Sequence, residues 1–400
     1  MTVQVQNHYR AQIDELLSET LDSVREREQS AFDNLLAGCG NQVVLFGAGN
    51  LGRKVLQSLR SVAVEPLAFA DNNESKWATQ VDGVPVLSPQ DAACKYGASA
   101  LFVVTIWSLG HFYGESRAML QRLGCRRIAP TIVLRWKFAD RLLPDFCQDL
   151  PHKVYEQATA VRDVAELWAD EYSRQEYLNH LRWRALGDQD ALPAPVTEES
   201  YFLDSLYRID RGEVFVDCGA YDGDTAQQVA RRNSAFSRIL AIEADPANFN
   251  RLRHWISSLD PEVGSRIIAL NVAVGATRGQ LHFRASGDET ACLANDGDIV
   301  VNCIPIDELT SEVKPTFIKM DIEGAELEAL QGAEHVIRTH RPILSICVYH
   351  KQDDLWRIPL FIHSLCEDYS LFLRTHEVDG WQAVCYAVPQ TRLNSAKRAG

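Results

Sequence analysis

No stretch of this 400-residue chain approaches the roughly 18 consecutive apolar residues that a membrane-spanning helix requires. Its opening, MTVQVQNHYRAQIDELLSE, is polar and acidic and lacks the charged-then-apolar layout of a signal peptide, so cytoplasm is the expected location. Positive charge is in deficit: 40 Lys and Arg against 54 Asp and Glu give a formal charge of −14. That balance argues against nucleic acid or an anionic membrane as the main partner, because both demand a basic footprint. A local basic pocket stays open. Ten cysteines are present but no Cys-x-x-Cys pair, and Cys218 and Cys347 sit in apolar strand patterns. A zinc ribbon and a disulfide framework are therefore not expected.

What is present is a 46% apolar content, enough for two or three domains that each bury a core. Residues 8–37 repeat apolar side chains at helical spacing (Ile13, Leu16, Leu17, Leu21, Val24), and Gly38 and Gly40 end the pattern. From Gln42 the pattern becomes strand, glycine turn, helix, strand: QVVLF, GAGNLG, RKVLQSLRS, EPLAFAD, then ALFVVTI. A second alternating series starts at Glu213 with VFVD, a glycine turn and ILAIEAD, and runs to SLFLRT and QAVCYAV. Alternation of this kind implies parallel sheets covered by helices. The expected class is α/β, with two tandem Rossmann-like doubly wound sheets. The expected boundaries are leading helices at 1–40, a nucleotide-binding unit at 41–135, a helical connector at 136–210 and a second sheet unit at 211–390.

The two glycine turns differ in charge. A strand-to-helix glycine turn offers backbone N–H groups and the positive end of a helix dipole, which suits anions. GAGNLGRK, with Gly47, Gly49 and Gly52 followed by Arg53 and Lys54, accepts a diphosphate without conflict. DCGAYDGD, with Asp217, Asp222 and Asp224, would repel one. S-adenosylmethionine removes the conflict, since it lacks phosphate and presents an ammonium, a sulfonium and a ribose diol. Asp217 is then expected near the ammonium, Gly219 and Gly223 admit the cofactor together with Ala220 and Tyr221, and Glu243, at the end of the second strand, accepts the ribose hydroxyls. Val272 and Ala273, after the third strand, flank the adenine.

Ligands of open sheets bind at the carboxyl ends of strands. FIKMDIEGAE places Lys319, Asp321, Glu323 and Glu326 around Gly324, and SICVYHK places His350 and Lys351 at the next strand end. The stretch ASGDETACLANDGD at 285–298 reads as a mobile cover or a plain hairpin connection.

Together FVDCGAYDGDT, IEADPANFNRL, NVAVG, FIKMDIEGAELEALQGA and PILSICVYHKQDDLWRIP resemble the FkbM family of S-adenosylmethionine-dependent methyltransferases over roughly residues 196–388. The resemblance implies a seven-stranded sheet with an antiparallel last strand and O-methylation of sugars, polyketides or related metabolites. Tyr221 and Asp222 depart from the family pattern. For such a reaction the first-choice general base is His350 and the second Asp321, with Lys319, Glu323 and Lys351 facing the substrate. Asp321, Glu323 and His350 are chemically able to hold a metal, but nothing in the sequence fixes a geometry, and no metal is expected.

The leading unit resembles the small nucleotide-binding domain found ahead of carbohydrate-modifying enzymes. Gly47, Gly49 and Gly52 would take the diphosphate of a nucleotide or nucleotide sugar and Asp71 its ribose or base; docking or dimerisation, including a homo-oligomer, is the other use of such a fold. Trp107 stacks on a sugar or base, or packs in a core or interface. Two other functions remain open at this stage: an NAD(P)-dependent nucleotide-sugar oxidoreductase and a non-catalytic cofactor-binding assembly protein.

Overall fold

The computed structural model describes residues 3–192, 194–284, 292–293, 297 and 299–394. Most of the stretch expected as a cover, 285–298, lies outside them. Among the described residues, sixteen strands form three sheets. The first sheet holds β1 (Val43–Phe46), β2 (Ala68–Ala70), β3 (Gln80–Val81), β4 (Val84–Leu87), β5 (Leu101–Val104) and β6 (Arg127–Pro130) in the order β3-β4-β2-β1-β5-β6. All its pairings are parallel except that of β3 with β4. That hairpin, absent from the sequence reading, turns at Asp82 and Gly83, both at positive φ.

The large sheet holds β7 (Val214–Cys218), β8 (Arg238–Ile242), β9 (Ile267–Leu270), β13 (Phe317–Met320), β14 (Ile343–Cys347), β15 (Tyr369–Thr375) and β16 (Ala383–Pro389). Its order is β15-β16-β14-β13-β7-β8-β9. β7, β8, β9, β13 and β14 run parallel, and the last strand, β16, is antiparallel to β14. The strand order reverses between β7 and β13, and there the carboxyl ends of the strands diverge to leave a crevice. Three further strands, β10 (Gly279–Arg284), β11 (Cys292–Leu293) and β12 (Ile299–Cys303), leave the large sheet and pair antiparallel with one another.

Strands buried on both faces explain the unbroken apolar runs: every residue of β1, β5, β13 and β14 is buried. The helices between them start where the sequence supplies caps. Asp245 accepts from Ala247 N and Asn248 N at 2.7 and 3.0 Å to open helix Pro246–Ser258, and Asp170 opens helix Glu171–Leu186, which ends at Gly187 in the left-handed region. That last helix is not a free connector. Its Ser173 hydroxyl accepts from Leu373 N at 3.0 Å, and Asp170 pairs with Arg374 at 2.7 Å, so it lies along β15. Tyr9, Ile13 and Leu17 of the leading helix share one apolar core with Tyr177, Leu181 and the large sheet. Much of the segment read as linker is thus built into the C-terminal body.

Candidate active site

The crevice holds a cavity of about 690 Å³ at the carboxyl ends of β7, β8, β9 and β13, within the usual range for small-molecule sites. Gly219, Tyr221, Asp224 and Thr225 form one wall; Glu243, Val272 and Ala273 form another; Lys319, Asp321 and Glu323 close the far side. Most of the residues expected around the cofactor therefore converge.

The glycines of the acidic turn are there for the protein's own packing. Gly219 has φ +78°, and a Cβ at this position would lie 1.9 Å from the Asp321 carbonyl oxygen; Gly223 has φ +95°, and its Cβ would meet the Trp255 ring at 2.6 Å. Ala220 is buried under the turn, away from the cavity surface. Glu243 accepts from Tyr221 N at 2.8 Å and from Asp245 N at 2.7 Å, tying the first turn to the second. Burial pushes its carboxyl up to about 7 although both N–H groups favour the charged form.

Asp217 departs from expectation. Its carboxylate is fully buried and off the cavity surface, with the Lys319 ammonium 3.2 Å away. Lys319 also donates to the Gly219 carbonyl at 2.7 Å. Burial pushes Asp217 up to about 6 against the pull of Lys319. Burial opposes the lysine's charge too, but Asp217 and Asp321 outweigh it and raise the lysine. Part of the negative charge that raised the question of a cationic ligand is thus neutralised internally, leaving Asp224, Glu243, Asp321 and Glu323 on the cavity wall.

Asp321 is held by two phenols: Tyr201 donates to Oδ2 at 2.8 Å and Tyr349 to Oδ1 at 3.2 Å. Burial would raise its pKa, but the His350 and Lys319 charges prevail and lower it. Glu323 stands in the left-handed region, φ +56°, beside Gly324 at +95°; burial raises its carboxyl.

His350 does not face the cofactor space. Its ring is buried behind Asp321, with Nδ1 2.9 Å from Glu326 Oε1 and Nε2 3.3 and 3.6 Å from Asp321 Oδ1 and Glu323 Oε1. Burial alone would lower its pKa, yet Glu326 and Glu323 outweigh burial and raise it well above the ordinary value. A cationic imidazole is no proton acceptor, so this geometry favours a positioning place for His350. Lys351 is likewise turned away from the cavity, its Nζ 3.9 Å from Glu328.

The sequence reading missed an aromatic wall. Trp107 stacks on Trp381, centroids 4.4 Å apart, and Phe146 meets Trp381 edge-on at 4.8 Å; Tyr201 and Tyr349 complete the wall. Trp107 was singled out; Phe146, Tyr201 and Trp381 come from segments without strand or turn pattern, where only aromatic richness marks them.

Beside the first turn lies a second cavity of about 460 Å³, lined by Gly47, Gly49, Lys54, Asp71, Lys76 and Arg135 among others. Trp107 and Ser108 border both cavities. A Cβ at Gly49 would meet nothing within 4 Å, whereas one at Gly52 would strike the Gly47 carbonyl at 2.1 Å. Asp71 is engaged by the fold: it accepts from Ala48 N and Asn73 N, both at 2.8 Å, and from Lys76 Nζ at 2.9 Å.

Residues 217–376 match the family model of the methyltransferase FkbM domain. The hexuronic acid methyltransferase AglP of Haloferax volcanii is 30% identical over 112 residues, 26% of this chain and 45% of AglP, so the chain spans about half the length of that relative. A crystal structure of the methyltransferase FkbM from Methylobacillus flagellatus KT superposes with a TM-score of 0.75 at 23% identity, covering 96% of this chain and 99% of that one. At that identity the likeness speaks for the fold.

Proposed function

We propose, from the match of residues 217–376 to the methyltransferase FkbM domain, that the chain is an S-adenosylmethionine-dependent O-methyltransferase acting on a sugar hydroxyl or a related carbohydrate metabolite. The observation that carries this reading is a single cavity walled by Glu243 and Tyr221 at one end and by carboxylates and stacked aromatics at the other. Glu243 and the apolar pair Val272 and Ala273 suit a ribose diol and an adenine face. The tryptophan wall suits the apolar face of a sugar ring, and the match to a hexuronic acid methyltransferase supports the same class.

When bound, S-adenosylmethionine would supply an electrophilic methyl for the acceptor oxygen and leave as a neutral thioether. Asp321, fixed by Tyr201 and Tyr349, orients the acceptor hydroxyl. Glu323, on the same wall, receives the hydroxyl proton. Lys319 keeps the β13 end and the acidic turn in register through Asp217 and Gly219. Positioning of this kind is worth on the order of 7–11 kcal/mol when reacting atoms are held at attack distance.

A nucleotide or nucleotide sugar at Gly47, Gly49 and Gly52 is the finer part of the proposal. Lys54 supplies positive charge there, Lys76 and Arg135 being paired with Asp71 and Asp145 of the same lining, and Trp107 joins this cavity to the other. Asp71, holding the turn, is then a structural residue of that site. The test is transfer of a labelled methyl from S-adenosylmethionine to uronic acids, neutral sugars and their nucleotide diphosphate forms. Transfer to one of these classes supports the reading; none, despite tight cofactor binding, would favour the non-catalytic assembly protein.

A further inference from the structure

Behind the wall that carries Asp321 lies a knot of buried charge that the methyl-transfer chemistry does not by itself require. Asp321, Glu323, Glu326 and Asp354 surround His350; of the cations outside the Asp217 pair that act on this knot, Lys351 is half exposed with its Nζ 3.9 Å from Glu328, and the buried Arg184 acts on Asp354 alone among these carboxylates. The His350 side chain is only 1% exposed and the Glu326 side chain fully buried. Among the described residues, neither ring nitrogen of His350 has a partner in hydrogen-bonding geometry, and nor has Glu326 Oε2. A buried carboxylate oxygen and a buried imidazole left without directional partners cost free energy unless something else satisfies them.

We propose that Asp321, Glu326 and His350 form a site for a divalent cation of the magnesium or manganese class, bordering the cavity where the acceptor binds. One donor atom from each of the three lies within 4.8 Å of the others. With Nδ1 as the imidazole donor, its 2.9 Å separation from Glu326 Oε1 compares with the roughly 3 Å between neighbouring donors around an ion at about 2.1 Å from each. Two carboxylate oxygens disfavour a soft, thiolate-seeking metal, and the imidazole nitrogen favours manganese over magnesium within this class. The surroundings fit as well: Tyr201 and Tyr349 hold Asp321 in place, and the Ile322 N–H donates to Glu326 Oε1 at 2.9 Å, the outer support that liganding carboxylates need. The ion offsets the excess negative charge of the knot once His350 is neutral. Its value to catalysis, fixing Asp321 at the cavity wall from behind, rests on the methyl-transfer reading; its binding does not.

The test uses the full chain treated with EDTA and returned to metal-free buffer. Mn²⁺ is titrated in and free Mn²⁺ followed by electron paramagnetic resonance, with Mg²⁺ and S-adenosylmethionine titrated calorimetrically into the same preparation. The expected result is one saturable Mn²⁺ site, displaced by excess Mg²⁺, whose affinity falls about tenfold or more in Glu326→Gln and in His350→Ala; Glu326→Gln keeps the comparison open where the histidine variant does not fold. A stoichiometric site lost in the variants upholds the proposal even where S-adenosylmethionine fails to bind, an outcome that would remove the methyl-donor reading alone. Absence of a stoichiometric site in the wild type, or unchanged affinity in a folded Glu326→Gln, overturns it and leaves the knot a plain imidazolium–carboxylate cluster.

Discussion

Glu243 holds the two turns together with the same two oxygens that the proposed cofactor's ribose would use, which makes its titration informative. The folded chain holds its proton to about pH 7, above the carboxyl's ordinary 4.5, so this group favours the folded state below pH 4.5 and that contribution is lost as pH rises through 7. In the proposed binding mode the ribose hydroxyls donate to the ionised form. S-adenosylmethionine affinity is therefore expected to rise between pH 6 and 8, with proton release visible in calorimetry in two buffers of different ionisation enthalpy, and this dependence should vanish in Glu243→Gln. Lys319 and Asp217 make a second residue-level prediction. Lys319→Met strands a buried carboxylate and should cost about 3–5 kcal/mol in urea unfolding, much of it recovered in the double variant Lys319→Met, Asp217→Asn. A single variant as stable as wild type would mean the pair is not closed in solution. The place of Glu243 on the cavity wall was legible because an acidic residue ends the second strand about 20 residues past a glycine turn. The true setting of Asp217 and His350 was not. Strand alternation gives a residue's height in the sheet, but says nothing of a lysine directly opposite on the neighbouring strand β13 or of three carboxylates gathering on one ring.

Strands and turns carried most of the legible architecture. The buried runs of β1, β5, β7, β13 and β14 were each visible as apolar blocks, and the order of the large sheet with its antiparallel last strand agrees with the family resemblance. The hairpin of β3 and β4 escaped because its strands are two and four residues long, too short for a period to show. The two glycine turns separate by what a methyl group would meet. Gly219→Ala drives a Cβ into the Asp321 carbonyl at positive φ, so a loss of about 2 kcal/mol or more and of most turnover is expected in thermal unfolding and methyl-transfer assays. Gly49→Ala meets open space at an ordinary φ of −95° and should leave stability within about 0.5 kcal/mol. If a nucleotide diphosphate approaches that turn closely, the same variant weakens its binding.

At the scale of the molecule, the cavity is a joint product of distant segments. Trp107 follows β5 of the first sheet, Phe146 comes from the segment between the sheets and Trp381 from the loop between β15 and β16, and the Asp379 carboxylate accepts from Tyr113 N at 2.8 Å to hold these parts together. Such convergence has no local sequence pattern, which is why the aromatic wall could not be read beforehand. Trp381→Ala should raise the KM for acceptor about tenfold while changing cofactor affinity little, separating the two ends of one cavity; equal loss at both ends would point to general unfolding of the wall. The measurement that bears most directly on the whole account is calorimetric titration of the chain with S-adenosylmethionine, wild type beside Glu243→Ala. One-to-one binding in the wild type, weakened at least tenfold in the variant, is the predicted result. No binding to the wild type, or the same affinity in both proteins, would contradict it.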